Sequence, residues 1–219
     1  MTPALSAHRL FRFFHAGDDE ALALQGVSLE LEPGEIVAVT GPSGSGKSTL
    51  LHCLAGLDEP DGGVVRVAGE RLSRRPEAER AALRARRIGM LFQQANLVGH
   101  LSVAANVTLA QRLAGKPDAT RRDAVLERCG ITARAGGRPS QLSGGELARA
   151  GLAVALANDP AVVLADEPTG ELDTATGERV LGLLRERADG GAAILVVTHS
   201  PEVAAAADRE IRLRDGALA

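Results

Sequence analysis

Residues 41–49 read GPSGSGKST and directly follow the apolar run EIVAVT. The stretch fits the pattern G-x-x-x-x-G-K-[ST], in which glycines let the backbone curl so that successive N–H groups point at phosphate oxygens. Lys47 would bring a positive charge to the β- and γ-phosphates, and the hydroxyl of Ser48 would be a ligand of Mg²⁺. We therefore predict a phosphate loop that binds a nucleoside triphosphate, formed by Gly41, Pro42, Ser43, Gly44, Ser45, Gly46, Lys47, Ser48 and Thr49.

Two carboxylates, Asp166 and Glu167, end the apolar run VVLADE. At the end of a buried strand, Asp166 would lie beside the phosphate loop and hold Mg²⁺ directly or through water. Glu167 would then point at the γ-phosphate, where it could accept a proton from an attacking water. Acids that end an apolar strand can also simply cap a turn, but together with the phosphate loop they predict a site that hydrolyses the nucleotide.

Residues 142–146 read LSGGE and form what we call the signature segment. The spacing S-x-x-E is a capping box, which predicts a helix that begins at Ser143 and extends to about Asn158. A hydroxyl and two glycine N–H groups at a helix start also attract an anion. The phosphate loop already binds the phosphates of the nucleotide that its own chain holds. This second anion site would therefore contact the γ-phosphate of a nucleotide held by another copy. Both interpretations are compatible.

Strands that alternate with helices would position these groups. Alternation of polar and apolar residues predicts a strand, a turn and a strand over 22–40, and a hairpin that begins at DGG (61–63). Apolar runs predict further strands at IGMLFQQ (88–94), AVVLAD (161–166) and AAILVV (192–197). Helical spacing predicts helices over 47–56, 71–87, 102–114, 118–129 and 176–188. The pattern indicates a largely parallel sheet flanked by helices. Only helices are predicted between about 94 and 158, which indicates an inserted helical lobe.

The composition argues against several classes of protein. The chain has 219 residues, a net charge of −3, no Tyr or Trp and four Phe, which is not the basic or aromatic composition of a nucleic-acid binder. No apolar run is long enough for a signal peptide or a membrane span. Cys53 and Cys129 have no metal-site spacing, so we expect two reduced thiols in a cytosolic protein.

In order along the chain, GPSGSGKST, LSGGE, VVLADEPTGELD and VVTH resemble the motifs of ATP-binding subunits of ABC transporters. The resemblance covers nearly the whole chain. It implies an α/β fold with a P-loop (RecA-like), mostly parallel sheet core over about 1–93 and 159–219, an antiparallel β subdomain, and a helical lobe over about 94–158. It also implies hydrolysis of ATP with Mg²⁺ by a head-to-tail homodimer. Each ATP would lie between one copy's phosphate loop and the partner's signature segment, including Ser143, Gly144, Gly145 and Glu146.

The resemblance also implies roles for single residues. Gln93 in LFQQ matches a glutamine that senses the γ-phosphate beside the metal and contacts the transmembrane partner. His199 matches the switch histidine, which contacts the γ-phosphate. Leu172 and Asp173 match a loop that faces the opposing subunit.

Phe14 resembles the residue that stacks on adenine, a position usually occupied by tyrosine. A phenyl ring can stack on adenine but donates no hydroxyl hydrogen bond. Phe13 is the competing assignment, and a phenylalanine on an amino-terminal strand can also be a core residue.

The stretches LADEPTG, FQQANLVGHLSVAANV and RPSQLSGGE resemble ATPases that pair with permeases of the lipoprotein-release, macrolide-export and cell-division type. This implies a transmembrane permease on a separate chain, a cytoplasmic position at the inner face of the membrane, and no nucleic-acid partner. Glu146, Val154 and Glu171 depart from the family's usual glutamine, arginine and asparagine, and these departures bear on turnover and coupling. A weakly hydrolysing regulator of a membrane partner and a non-transport ABC-type ATPase remain alternatives.

Overall fold

The computed structural model describes residues 2–16, 19–93, 97–170 and 172–219. Its amino-terminal strands form an antiparallel sheet in the order β2-β1-β4-β5, in which β1 is Leu5–Ala16, β2 is Asp19–Leu31, β4 is Gly62–Val67 and β5 is Glu70–Arg71. Leu5, Ala7 and Leu10 are buried on β1. The alternation slips between Ala7 and Leu10, where Arg9 has a positive φ of 49° and the pairing with β2 shifts register.

A second, six-stranded sheet has the order β10-β9-β3-β8-β7-β6. Its strands are β3 (Ile36–Thr40), β6 (Ile88–Leu91), β7 (Val162–Asp166), β8 (Ala193–Val197), β9 (Arg209–Arg214) and β10 (Ala217–Leu218). Neighbours from β9 to β6 are parallel, and β10 is antiparallel to β9. The three central strands β3, β8 and β7 are almost entirely buried, which explains their unbroken apolar sequences.

Helices cover both faces of this sheet. They are α1 (Lys47–Leu54), α2 (Glu77–Arg87), α3 (Val103–Leu113), α4 (Ala119–Arg128), α5 (Gly144–Ala155), α6 (Thr174–Asp189) and α7 (Pro201–Ala205), with 3₁₀ turns at Thr132–Arg134 and Pro139–Gln141. Five of these helices begin after a Ser or Asp whose side chain accepts a hydrogen bond from a backbone N–H of the first turn: Ser102, Asp118, Ser143, Asp173 and Ser200.

The hydrophobic core has two parts, one on each face of the parallel sheet. Leu164 and Leu195 point into the part shared with α1 and the antiparallel sheet. Val163 and Ile194, their neighbours along the same strands, point into the part shared with α3, α4, α5 and α6. Since successive side chains of a strand alternate between faces, two packed layers hold the sheet rigidly between them.

The predicted fold class is confirmed: a mostly parallel sheet, an antiparallel sheet, and helices but no strand over the described residues 97–158. Two details were wrong. The helix predicted over 71–87 begins only at Glu77, since Pro76 disfavours helical backbone at the preceding residue. The strand predicted at IGMLFQQ ends at Leu91. The hairpin predicted to begin at 61–63 is present, because β4 begins at Gly62 and pairs with β5 across a turn at Ala68 and Gly69.

The strands β9 and β10 and the helix α7 were not predicted. The division into a core and a helical lobe remains a prediction, and Gln94, where the lobe would begin, lies outside the described residues. Within the part of the chain that the structure describes, every helix is too short or too polar to cross a membrane.

Candidate functional site

A cleft of about 480 Å³ lies where three parallel strands reach their carboxyl ends. The phosphate loop follows β3, Asp166 ends β7, and His199 comes two residues after β8. The cleft therefore brings together groups that are up to about 185 residues apart in sequence. Its lining consists of Phe14, Ala23, Gly41, Ser43, Gly44, Gly46, Lys47, Ser48, Thr49, Gln93, Asp166, Glu167, Val197 and His199.

Two glycines let the phosphate loop pass close to neighbouring backbone. A Cβ atom at Gly41 would overlap the carbonyl oxygen of Leu213, and one at Gly46 would overlap that of Ala23. Gly46 also has a φ of 100°, which residues with a side chain rarely adopt. The loop can follow this path only because these positions lack side chains.

The start of α1 is left open toward the cleft. Its N-cap is Gly46, which has no side chain to accept a hydrogen bond from the first turn. The backbone N–H groups of Lys47, Ser48 and Thr49 have no acceptor among the residues that the structure describes, whereas Leu50 N donates to Gly46 O. Unpaired N–H groups and the positive end of the helix dipole together suit an anion.

Lys47 turns its ammonium group onto the loop itself. Its Nζ donates to the carbonyl oxygens of Gly41 and Pro42, at 2.8 Å in each case. Among the described residues, the ammonium group therefore has only neutral backbone acceptors. Phosphate oxygens would be stronger partners, because they carry the negative charge that a carbonyl oxygen lacks.

Glu167 is fixed at both carboxylate oxygens. Its Oε2 accepts a hydrogen bond from the Thr198 hydroxyl at 3.1 Å, and its Oε1 lies 2.7 Å from Nδ1 of His199. Its backbone N–H donates to Val197 O at 2.9 Å and its φ is 45°, an uncommon conformation for a residue with a side chain. Strained backbone that surrounding contacts impose is common where side-chain placement matters to function. Thr198 was missed by the sequence reasoning, although it stands inside the motif VVTH.

Asp166 is half-buried beside Ser48 and Lys47. Burial raises the pKa of Asp166, and the negative charge of Glu167 raises it further, whereas His52, Lys47 and a hydrogen bond from Ser48 act in the opposite direction. Two adjacent carboxylates in a partly dry cleft therefore repel each other, and a bound cation would relieve this repulsion.

The oxygen donors at the cleft suit a hard divalent cation. Ser48 offers a hydroxyl, Gln93 an amide and Asp166 a carboxylate, and all three side chains line the same cleft. Among the described residues, no cluster of three or more His, Cys, Asp and Glu could hold a metal alone. This fits Mg²⁺, which usually takes one or two protein carboxylates together with substrate phosphates and water.

Phe14, rather than Phe13, lies at the cleft. The Phe14 ring is 41% exposed and belongs to the lining, whereas Phe13 is half-buried and does not. The backbone N–H of Phe13 donates to Asp61 Oδ2 at 2.8 Å, which fastens the strand just before Phe14. The geometry thus favours Phe14 for base stacking.

The signature segment does not reach this cleft. Ser143 Oγ accepts from Glu146 N at 3.3 Å and Ser143 N donates to Glu146 Oε2 at 2.9 Å, so the predicted capping box is present. Arg134 Nε donates to Glu146 Oε1 at 2.8 Å. This hydrogen bond, followed by that from Ser143 N, lowers the pKa of Glu146 to about 2. The helix of the segment ends at Ala155, a turn earlier than expected.

Asp173 likewise lies away from the cleft, as the N-cap of α6, where it accepts hydrogen bonds from the N–H and the hydroxyl of Thr176. Glu171 lies outside the described residues. The predicted site residues absent from the lining of the described cleft are Pro42, Ser45, Ser143, Gly144, Gly145, Glu146 and Asp173. Ser45 N donates to Pro42 O at 3.2 Å within the phosphate loop, and the other five residues lie elsewhere on this chain.

Comparison with known proteins gives a consistent result. The ABC transporter family model matches residues 24–170. The macrolide export ATP-binding/permease protein MacB of Burkholderia thailandensis is 45% identical over 219 residues, and that of Escherichia coli K12 is 42% identical over 221 residues. These matches cover 99% and 100% of this chain but 34% of each relative, so the chain spans about a third of the length of these curated relatives.

A solved structure matches the fold over almost its full length. The ATP-binding cassette MJ0796, described as a dimeric post-hydrolysis state bound to ADP and Pi, has a TM-score of 0.91 and 34% sequence identity to this chain. The match covers 98% of this chain and 96% of that one. By its motifs, fold and relatives, the chain belongs to the ABC transporter family.

Proposed function

We propose that this chain is the ATP-binding and ATP-hydrolysing part of an ABC transporter, dimerising around two Mg-ATP to drive a transmembrane permease on a separate chain. The observation that carries the proposal is the placement of Glu167, held by Thr198 and His199 in the same cleft as the phosphate loop. A fixed carboxylate facing an anion-binding helix start can activate water against a phosphate.

Binding of ATP would use both ends of the cleft. The β- and γ-phosphates would accept hydrogen bonds from the open N–H groups at the start of α1, and Lys47 would leave the carbonyl oxygens of Gly41 and Pro42 for phosphate oxygens. The exposed ring of Phe14 would stack on the adenine. Ser48, Gln93 and Asp166 would hold Mg²⁺, which neutralises phosphate charge when bound.

Hydrolysis would depend on Glu167 as the general base. A water placed between Glu167 and the γ-phosphate would transfer a proton to the carboxylate as it attacks the phosphorus. Thr198 and His199 both hold the carboxylate and thus fix its direction. The side chain of His199 is 76% exposed, so it could exchange its hydrogen bond to Glu167 for one to the γ-phosphate. This would link its position to the presence of ATP.

A second copy of the chain would complete each site. Ser143, Gly144, Gly145 and Glu146 lie outside the chain's own cleft but keep hydrogen-bonding groups at the surface. In a head-to-tail dimer they would reach the γ-phosphate that the partner holds, with Asp173 facing the opposing subunit. The dimeric state described for MJ0796 with ADP and Pi supports this arrangement.

An apolar groove supports a partner of the permease type. The groove, of about 490 Å³, lies between α2, β6, α3 and α5, and its lining includes Leu57, Met90, Phe92, Leu113 and Val154. Leu57 and Leu113, which both line the groove, are 44% and 68% exposed, so the groove carries apolar surface that a partner could cover. Val154 stands where the family usually has an arginine, and its place in this groove connects that departure with partner binding rather than with the nucleotide.

The names of the matched relatives combine ATP-binding and permease functions, which also supports a membrane partner for this chain. Through that permease, the chain would lie at the inner face of the cell membrane. The transported substrate and the direction of transport would be properties of the permease.

Glu167→Gln tests the proposal. The variant should bind ATP but hydrolyse it about 10²–10⁴-fold more slowly, the usual contribution of a positioned general base. It should also accumulate as an ATP-stabilised dimer in size-exclusion chromatography with saturating Mg-ATP. Glu79→Gln, a change on the exposed face of α2, is the matched control and should hydrolyse ATP at the parent rate. Parent-like turnover in Glu167→Gln, or a monomer with ATP bound, would contradict the assigned role.

A further inference from the structure

Arg12 lies against the Phe14 ring. The guanidinium carbon of Arg12 is 4.8 Å from the ring centroid, within the distance at which a cation is attracted to an aromatic face. The two residues are two positions apart on β1, so their side chains leave the same face of the strand. Phe14 therefore has one face toward a fixed cation while part of the ring stays exposed at the cleft.

Two carboxylates hold Arg12 in this position. Its Nη2 donates to Asp58 Oδ1 at 3.0 Å, and its Nη1 lies 3.2 Å and 3.4 Å from the two oxygens of Asp61. The Arg12 side chain is only 21% exposed. Asp61 also accepts the backbone N–H of Phe13, so one carboxylate fastens both the guanidinium and the strand. Because its charge is neutralised by two acids, Arg12 is a poor candidate for a direct phosphate ligand.

The carboxylates belong to the segment that directly follows α1. This helix begins in the phosphate loop at Lys47 and ends at Leu54, and Asp58 N donates to His52 O within its last turn. The element that supplies the phosphate-binding N–H groups thus also leads to the two acids that hold Arg12. The phosphate end and the Phe14 end of the cleft are tied to one short helix.

We infer that Arg12 is a positioning residue that, clamped by Asp58 and Asp61, holds Phe14 as a preformed platform for the base of a purine nucleotide. This inference rests on the proposed binding of ATP in the cleft. A ring already held in its bound orientation loses less freedom when a base stacks on it. The attraction of the cation to the ring face also restrains the orientation of the ring.

Arg12→Met keeps an unbranched apolar stem but removes the planar charge. Its dissociation constant for ATP should rise about 3- to 10-fold, the range expected for a partly buried cation–π contact. Its KM for ATP should rise with kcat nearly unchanged. Inorganic tripolyphosphate, which has no base, should bind Arg12→Met as it binds the parent. Arg12→Lys, which keeps the charge, should restore part of the ATP affinity.

A double-mutant cycle with Phe14→Ala shows whether Arg12 acts through the ring. Phe14→Ala should itself weaken ATP binding, and adding Arg12→Met should then produce no further loss. Arg185→Met is the matched control, because Arg185 also pairs with an aspartate, Asp208, but on α6 away from the cleft. It should leave affinity for both ligands unchanged. If Arg12→Met folds poorly, Asp58→Asn loosens the same clamp and should shift ATP affinity in the same direction by a smaller factor.

Several results would overturn the inference. An equal loss of ATP and tripolyphosphate affinity in Arg12→Met would indicate general damage to the cleft, and the same loss with and without Phe14 would show that Arg12 acts by another route. If Phe14→Ala binds ATP normally while Lys47→Ala does not, the cleft is correct and the platform is wrong. If Lys47→Ala binds ATP and tripolyphosphate like the parent, the proposed function itself fails.

Discussion

Two helices of this chain begin next to glycines, yet their first turns are in opposite states. At α1 the N-cap is Gly46, no side chain caps the first turn, and Lys47 is the first helical residue. At α5 the N-cap is Ser143, which exchanges hydrogen bonds with Glu146 in a complete capping box. The start of α1 carries a lysine and has no side-chain cap. The start of α5 carries a carboxylate, and its own residues already accept hydrogen bonds from its first turn.

The difference indicates which start needs a ligand in order to be satisfied. At α1, three backbone N–H groups have no acceptor among the described residues, and the residues that carry them line a cleft that this chain forms alone. At α5, the capping box stabilises the helix by itself. Ser143 and Gly144 remain exposed, which leaves a hydroxyl and glycine N–H groups available to another molecule. A helix cap and a γ-phosphate contact supplied to a partner are therefore compatible roles for one segment.

Charge sharpens this contrast. Within the part of the chain that the structure describes, Lys47 pairs only with backbone carbonyls, whereas Glu146 is paired with Arg134. The carboxylate that replaces the family's usual glutamine is thus offset by a neighbouring guanidinium. The signature segment therefore has almost no net charge where a phosphate would approach, whereas the phosphate loop has the full positive charge of Lys47.

The largest effect is expected at the open start. Lys47→Ala should abolish hydrolysis of Mg-ATP, because it removes the one side-chain cation that lines the phosphate end of the described cleft. Lys116→Ala changes the chain's other lysine, an exposed residue in the turn after α3, and should keep parent activity. Both are measured by phosphate release at saturating ATP. Normal ATP turnover in Lys47→Ala would contradict the assignment of residues 41–49 as the phosphate loop.

The smallest effect is expected at the capped start, and it depends on pH. Arg134 and then Ser143 N lower the pKa of Glu146 to about 2, below its ordinary value of about 4.3. Ionised Glu146 therefore contributes stability above about pH 4.3, and this contribution is lost as the pH falls toward about 2. Glu146→Gln keeps an acceptor for Ser143 N but does not titrate.

The urea midpoint of the parent should accordingly fall relative to that of Glu146→Gln as the pH is lowered from 7 to 3. A difference between the two proteins that stays constant over this range would show that the charge of Glu146 does not stabilise the capped start. Because Arg134 is about half exposed, the effect should be small next to that of Lys47→Ala.

Local patterns predicted both helix starts, since each depends on residues adjacent in sequence. The pattern G-x-x-x-x-G-K-S fixed the position of α1, and the spacing S-x-x-E fixed that of α5. Strand β9, with the sequence REIRLR, was missed because it is charged and buries only alternate side chains next to the sheet edge. Helix α2 begins only at Glu77 because Pro76 disfavours helical backbone at the preceding residue, which is also a local signal.

Contacts between distant segments could not be predicted in the same way. The hydrogen bond of Thr198 to Glu167 spans 31 residues, and the clamp of Asp58 on Arg12 spans 46. Neither pair has a recognisable spacing, because each forms only after strands of the sheet are placed side by side. Short motifs were therefore enough to predict the candidate site residues, whereas the contacts that orient Glu167 and Phe14 required the fold.

In the proposed dimer, the open start of α1 in one copy and the capped start of α5 in the other form a single site. Mixing Ser143→Arg with Lys47→Ala tests it, because each homodimer has both of its sites broken. A mixed dimer instead pairs one intact phosphate loop with one intact signature segment. ATPase activity should be near zero for each variant alone and should partly recover on mixing, in proportion to the mixed dimer. Mixed dimers that demonstrably form but hydrolyse no ATP would show that the signature segment does not complete its neighbour's site.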